Sequence, residues 1–342
     1  MMNLKLFSAI TITRSLAVLL LVSVALLSPV RGTGATAVDL YQASVPAPDR
    51  SEAALSAAFQ SALKLVLVRV TGRRGAAQDP SFSPLINNAR RYMQQYRAGT
   101  GNQIWVAFDG PALERWLAQN GQPLWGKERP ATLVWVGVPN NKGSGDFLTR
   151  DDGSELRRAM EQEAASRGVP LIWPTPSDVQ RSGLTYAALV QGPATAFAET
   201  GKRLGADGVL VGRAADTRGT STVRWVFLFQ GRSSEFSGSL EGVNRAADVY
   251  AGIYAASGES SAVNIEVSGV ADLQTYASVQ GYLESLTQIS RVSVVGFDND
   301  TLRLRLVTRG GIEPLQRVLG QDGRLQPAAG GPAGVPRYRL LK

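Results

Sequence analysis

The sequence predicts an α/β protein of three small domains, and three patterns carry this prediction. Short apolar runs indicate buried strands, and residues 209–211 form one that is typical of a strand covered on both faces. Between such runs, apolar residues recur at three- and four-residue spacing, as on the core face of a helix. A Ser/Gly-rich stretch at 257–261 indicates a linker. Strands that alternate with helices in this way favour sheets covered by helices.

The first 37 residues are predicted to be an export signal. Lys5 and Arg14 give a positively charged start, residues 15–27 are apolar, and Ala35-Thr36-Ala37 fits the small-residue pattern of a cleavage site. The apolar run is shorter than the roughly 20 residues that span a bilayer comfortably, so cleavage is favoured, and an uncleaved N-terminal anchor is the alternative. The signal therefore predicts a bacterial protein of the periplasm.

The composition limits the chemistry, because the chain contains no histidine and no cysteine. Disulfides, metal sites built on these residues, thiol nucleophiles and the Ser-His-Asp triad are excluded. Acid–base catalysis would have to rest on Asp, Glu, Lys or Tyr. The net charge of +8 is scattered rather than gathered in dense basic runs, so nucleic acid is not an expected partner. We expect no catalytic residue, no metal and no cofactor.

The first domain is predicted over residues 38–126 in the order β-α-α-β-α. Its long helix has a stripe of apolar side chains and ends at Gly72, which suits the left-handed residue after a helix. The stripe consists of Leu55, Phe59, Ala62, Leu63, Val66 and Val70. The elements after the first strand, at 38–45, are this helix, a helix at 84–97, a strand at 101–109 and a helix at 111–119.

The middle domain is predicted over 127–257 as a mixed sheet with helices. In its strand at 223–229, alternate side chains share one face, since strand side chains alternate. The last domain, 258–342, has the order β-α-β-β-α, and a final strand at 338–341 would complete a ferredoxin-like sandwich. Its Ala/Gly/Pro-rich segment 327–336 is predicted to be loose.

Several segments resemble a known family. They are LKLVLVRVTG at 63–72, Phe108-Asp109, Trp125-Gly126 before Arg129-Pro130, the strand with Trp135, Gly168-Val169-Pro170, and GADGVLVG at 205–212. Together they are similar to the bacterial family catalogued as domain of unknown function 2066, over most of the chain beyond the signal. The resemblance implies an exported protein of proteobacterial type. It implies no activity and no catalytic residues.

Four residues are candidates for binding: Trp125, Arg129, Lys142 and Trp105. Trp125 and Arg129 could stack on a sugar or a peptide, or form an interdomain plug in which Arg129 pairs with an acid; the plug is favoured because Trp is mostly buried. Lys142 lies in the Gly-rich loop 137–145, where α/β proteins bind phosphate, but Lys-Gly-Ser is not the Walker order and a surface turn is favoured. Trp105 is either an exposed aromatic or part of a packed layer.

Two groups of charged residues have a functional and a plainer interpretation. Asp151, Asp152 and Glu155 could cleave a glycan, but acids at a helix start more often cap its free amides. The arginines 303, 305 and 309 could bind an anionic polymer, but such a row more often keeps the wet face of a sheet soluble.

The expected function is therefore that of a periplasmic, non-enzymatic binding or assembly protein of the cell envelope. Its partner would be another envelope protein, with cell-wall glycan or anionic lipid as further possibilities. The alternative is a carboxylate-based hydrolase of envelope glycans.

Overall fold

Residues 35–342 form one compact unit with three main β-sheets, each packed on an apolar core. This computed structural model describes residues 36–37, 39–140, 144–329, 332 and 334–341. The predicted export signal lies outside the described residues, except for Thr36–Ala37, which form the short strand β1. The predicted α/β class is confirmed, and the domain boundaries stay predictions.

The first sheet packs on one long helix. The elements of this part are β2 (Gln42–Pro46), α1 (Glu52–Thr71), α2 (Ser83–Asn87), α3 (Ala89–Tyr92), β3 (Met93–Ala98), β4 (Gln103–Phe108) and α4 (Gly110–Gln119). The three strands are antiparallel in the order β2-β4-β3. The Ser51 hydroxyl accepts from the amide of Ala54 at the start of α1, and Gly72 ends α1 with a left-handed φ of 69°.

The apolar stripe predicted for α1 lies in the core of this part. Phe59, Leu63, Val66 and Val70 are buried there, together with side chains of the sheet. Within the described residues, α1 is one helix whose length and composition would suffice to cross a membrane. Its buried stripe accounts for that composition, because the core helix of a globular domain needs the same residues.

The helix predicted at 84–97 is wrong in its second half. The chain is helical only as far as Tyr92, and β3 then pairs with β4 across the turn at 99–102. Met93 and Tyr96, predicted on a helical stripe, lie opposite Phe108 and Val106 of the neighbouring strand. Pairing with a distant strand overrides the local helical spacing.

The middle part carries a six-stranded mixed sheet. Its elements are β5 (Glu128–Arg129), β6 (Thr132–Pro139), β7 (Gly145–Phe147), α5 (Glu155–Arg167), β8 (Leu171–Ile172), α6 (Pro176–Ser182), α7 (Tyr186–Gln191), α8 (Ala198–Arg203), β9 (Gly208–Ala214), β10 (Val223–Phe229), β11 (Arg232–Ser237) and α9 (Glu241–Tyr254). The sheet order is β11-β10-β9-β6-β7, and β8 also pairs with β6. Strands β6 and β9 are parallel, and β9, β10 and β11 are antiparallel. The short strand β5 pairs with β1.

Helices cover both faces of this sheet. On one face, α5 and α9 pack on Trp225, Phe227 and Phe229, which share that face as predicted. On the other face, residues of α6, α7 and the turn before α8 pack on Trp135 and Val211. The run 209–211 is therefore covered on both sides, as its composition predicts.

The last part is a five-stranded sheet with two helices. Its elements are β12 (Ser260–Ser268), α10 (Leu273–Ser285), β13 (Ile289–Asp298), β14 (Thr301–Arg309), α11 (Ile312–Asp322), β15 (Leu325–Ala328) and β16 (Arg337–Leu340). The order is β13-β14-β12-β16-β15, with β16 parallel to β12. The predicted β-α-β-β-α order and the final strand are present, and β15 adds an edge strand. The segment 327–336 was predicted to be loose, but Pro327 and Ala328 belong to β15 and pair with β16.

Candidate functional site

Two arginines lie side by side where the parallel strands of the middle sheet end. Arg213 is the second-last residue of β9 and lies next to Gly137 of the parallel strand β6. Arg224 of β10 lies directly opposite Arg213 in the antiparallel pair. In open α/β sheets, ligands bind at the carboxyl ends of the parallel strands, so this position favours a binding site.

Both arginine side chains are exposed on the face that α6 and α7 cover farther down the sheet. Like charges directly opposite each other in neighbouring strands destabilise a sheet. Among the residues that the structure describes, no acid forms an ion pair with either guanidinium. The pair therefore presents two positive charges that no direct ion pair neutralises within the described part of the chain.

The two guanidinium groups line two adjoining cavities, of about 570 and 330 Å³, which we call the arginine groove. Its floor includes Val211 and Val226, and one wall is formed by α7 and the residues after it, up to Ala194. Glu235 lines the larger cavity, and it lies opposite Val226 in the sheet. These volumes lie within the range of sites that hold small ligands.

The aromatic wall of the smaller cavity is Tyr186, and glycines allow it to lie close to the sheet. A Cβ atom on Gly137 would lie 2.9 Å from the Cδ2 atom of Tyr186, and one on Gly145 would lie 2.5 Å from it. Real Cβ atoms do not approach so closely. The absence of side chains at 137 and 145 therefore allows the ring to lie beside Arg213 in the groove.

The chemistry of the arginine groove is that of binding. A guanidinium donates several hydrogen bonds in one plane, which matches the paired oxygens of a carboxylate or a phosphate. It does not exchange a proton near neutral pH, so it is a poor acid or base for catalysis. The groove is therefore suited to hold an anionic group rather than to break a bond.

Sequence reasoning missed Arg213 and Arg224. The signal was present, since each arginine interrupts an otherwise apolar strand in GVLVGRA and VRWVFLF. An exposed charged residue in such a run indicates the point along the strand where helices no longer cover the sheet. The predicted loop with Lys142 follows β6 at this same end of the sheet. Lys142 itself lies outside the described residues, while Pro139 before it lines the smaller cavity.

Trp125 and Arg129 are both fully buried, away from the groove. The guanidinium carbon of Arg129 lies 3.6 Å from the centre of the Trp125 ring. Arg129 donates to the main-chain oxygens of Arg69, Gly126 and Trp125, and burial lowers its pKa well below the ordinary value. The acid expected to pair with Arg129 is not found among the described residues, so that detail of the predicted plug is wrong. Gly126 also donates to the hydroxyl of Thr287, in the last part of the chain.

Trp105 is half-buried on the first sheet. Its indole N–H donates to Gln42 at 2.9 Å, and the guanidinium of Arg97 lies 4.5 Å from its ring centre. Trp105 and Trp125 are therefore not brought together with each other or with the arginine groove.

Two of the residues suggested for glycan cleavage make local structural contacts at the start of α5. A carboxylate oxygen of Asp152 accepts from the amide of Ser154, and Glu155 accepts from the amide of Gly219. A further cavity of about 400 Å³, near Trp135, contains one carboxylate, that of Asp178. None of the three cavities described brings two carboxyl groups together. Over the described residues, no group of three or more acids is placed to hold a metal ion.

Comparison with known proteins gives one match. Residues 34–126 match a family described as Domain of unknown function (DUF8605). This finding overturns the resemblance to domain of unknown function 2066, which is a different family. No curated protein matches the chain. No solved structure matches it.

Proposed function

We propose that this chain is an exported, non-enzymatic binding protein of the bacterial cell envelope, which holds an anionic group of its ligand in the arginine groove. The observation that carries the proposal is the pair Arg213 and Arg224, opposite each other in the sheet and without an acidic partner among the described residues. The ligand would carry a phosphate or a carboxylate for the arginines and an apolar part for the wall of α7.

The arrangement favours a ligand role for the pair over a structural one. Two like charges directly opposite each other destabilise a sheet, whereas apolar residues at the same positions would not. Stability of the fold therefore does not explain the arginine pair. A bound anion would offset this repulsion and accept charge-assisted hydrogen bonds, each of which contributes about 1.5–3 kcal/mol. Single replacements of Arg213 or Arg224 by Ala should therefore leave the melting temperature unchanged or raise it.

The alternative, a carboxylate-based glycan hydrolase, has less support. Such an enzyme needs two carboxyl groups about 5–10 Å apart in one cleft. The arginine groove contains Glu235 alone, and the cavity near Trp135 contains Asp178 alone. The envelope location rests on the sequence of the first 37 residues. A fusion of these residues to alkaline phosphatase should give periplasmic activity, and an inactive fusion would oppose export.

Calorimetric titration tests the groove. Pyrophosphate and citrate serve as phosphate and carboxylate probes, at low salt because exposed charges are screened at high salt. We expect the Arg213→Ala/Arg224→Ala variant to bind at least tenfold more weakly than the unchanged protein. The Arg91→Ala/Arg115→Ala variant removes the same charge elsewhere and should bind within twofold of it. Equal binding by the groove variant and the unchanged protein would refute the proposal.

A further inference from the structure

The two edges of the last sheet differ in how they are protected. At one edge, β15 has four residues and contains Pro327, which cannot donate to a neighbouring strand. At the other edge, β13 has ten residues, contains no proline, and pairs with β14 on one side only. Proteins usually shorten or block an edge strand, because its free main-chain groups can bind another strand. Strand β13 is therefore the open edge of this sheet.

The helix-covered side of β13 exposes apolar residues. Val294 lies opposite Leu304, and Phe297 lies opposite Leu302, and both leucines are buried in the core of this part. Val294 and Phe297 are nevertheless 49% and 51% exposed, and the bulged residue Val295 is 64% exposed. The helix layer therefore stops short of the edge, and an added strand with apolar side chains would cover this face.

The other side of β13 borders a basic surface. Arg303 and Arg305 of β14 point to the face opposite α10 and α11, and beside them in β13 lie the small residues Gly296 and Ser293. A Cβ atom on Gly296 would lie 3.0 Å from a terminal nitrogen of Arg303, so this guanidinium lies against the edge strand. Arg291 adds a further positive charge on β13 itself. Small neighbours thus leave the arginines within reach of a ligand at the edge.

A direct ion pair neutralises none of these three charges in the part of the chain that the structure describes. No ion pair is formed there by Arg291, Arg303 or Arg305. On the same face, Glu266 of β12 lies directly opposite Arg303, but it is nearly buried and forms its ion pair with Arg337.

We propose that β13 binds an extended segment of an acidic partner protein, which adds a strand to the sheet. The segment would alternate acidic residues, facing the arginines, with apolar residues, facing Val294 and Phe297. Bulges at Ser290 and Val295 interrupt β13, so the added strand would pair regularly along Arg291–Val294 and would reach Phe297 only beyond the second bulge. A second copy of the chain fits less well, because a twofold axis would bring the arginines of both copies onto one continuous face.

Hydrogen exchange measured by mass spectrometry tests the proposal. The probe is the peptide Thr-Glu-Val-Glu-Val-Glu-Val-Thr with blocked ends, and its control has Lys in place of Glu. We expect the acidic peptide to slow exchange at least threefold in residues 289–298, and the lysine peptide to leave it unchanged. Arg303→Glu/Arg305→Glu should abolish the protection by the acidic peptide and permit some protection by the lysine peptide.

Two controls keep the test decisive. The groove variant Arg213→Ala/Arg224→Ala should bind the acidic peptide unchanged, because it leaves β13 intact. Melting temperatures within a few degrees of the unchanged protein will show that each variant folds. Equal protection by both peptides, or no protection by either, would overturn the proposal. So would a dimer in sedimentation analysis that Val295→Lys dissociates, because β13 would then bind a second copy.

Discussion

Replacing Arg167 by Ala should destabilise the protein by about 3 kcal/mol, because this buried side chain joins two parts of the fold. Only 1% of its side chain is exposed. It donates to the main-chain oxygen of Gly72 in the first part, and to Asn244 and Asp248 of α9. Each charge-assisted bond contributes about 1.5–3 kcal/mol, and the acceptors left buried without a donor add to the cost. Because the entropy of unfolding grows with chain length, we expect the melting temperature of this unit to fall by about 5 °C.

Arg74 provides the matched control, since it pairs with the same carboxylate. It lies 3.4 Å from Asp248 and 3.1 Å from Glu241, but 49% of its side chain is exposed. Exposed ion pairs contribute about 0–1 kcal/mol, so Arg74→Ala should cost less than about 1 kcal/mol. Urea denaturation followed by circular dichroism measures both variants. If Arg167→Ala costs no more than Arg74→Ala, burial does not decide the strength of these contacts, and our reasoning fails.

Two further predictions concern stability. Gly212→Ala should cost about 1–3 kcal/mol, because its Cβ atom would lie 2.4 Å from the Trp225 ring, whereas Gly252→Ala has open space in α9 and should stabilise by about 0.5–1 kcal/mol. Urea denaturation of both variants checks the signs, and a stabilised Gly212→Ala would contradict the packing. Hydrogen bonds from Thr175 lower the pKa of Asp178 to about 2, so its stabilising effect is present above about pH 4 and is lost as the pH falls toward 2. The stability difference from Asp178→Ala, measured in urea between pH 2 and 7, should shrink below pH 4; a constant difference would contradict this.

The helices with long apolar stripes could be predicted from the sequence, because their pattern is set by contacts that repeat every turn. Phe59 and Leu63 are one turn apart in α1, and both are buried as predicted. The helix predicted at 93–97 is wrong because contacts with a distant strand, rather than contacts that repeat every turn, determine the structure there. Tyr96 fits a helical stripe, but in the structure its ring lies 5.1 Å from that of Phe59 because β3 pairs with β4. Strand pairing depends on residues that are distant in the sequence, so the spacing of apolar residues within one segment does not predict it.

The candidate site was harder to predict for the same reason. Arg213 and Arg224 lie in different strands, and only the register of β9 and β10 places them opposite each other. The notion that Arg129 needs an acid was also too simple. Main-chain oxygens accept its hydrogen bonds instead. Every residue type has a main-chain oxygen, so the sequence does not show which residues will act as these acceptors.

The buried segment around Trp125 makes the three sheets mutually dependent. The amide of Trp125 donates to Val70 in the first part, Leu124 pairs with Ala256, and the amide of Gly126 donates to Thr287. Denaturation should consequently be cooperative across these three sheets. A chain cut after residue 126, where the family match ends, would expose the indole that Arg129 covers. Excision of that homologous region alone should therefore yield an aggregation-prone fragment.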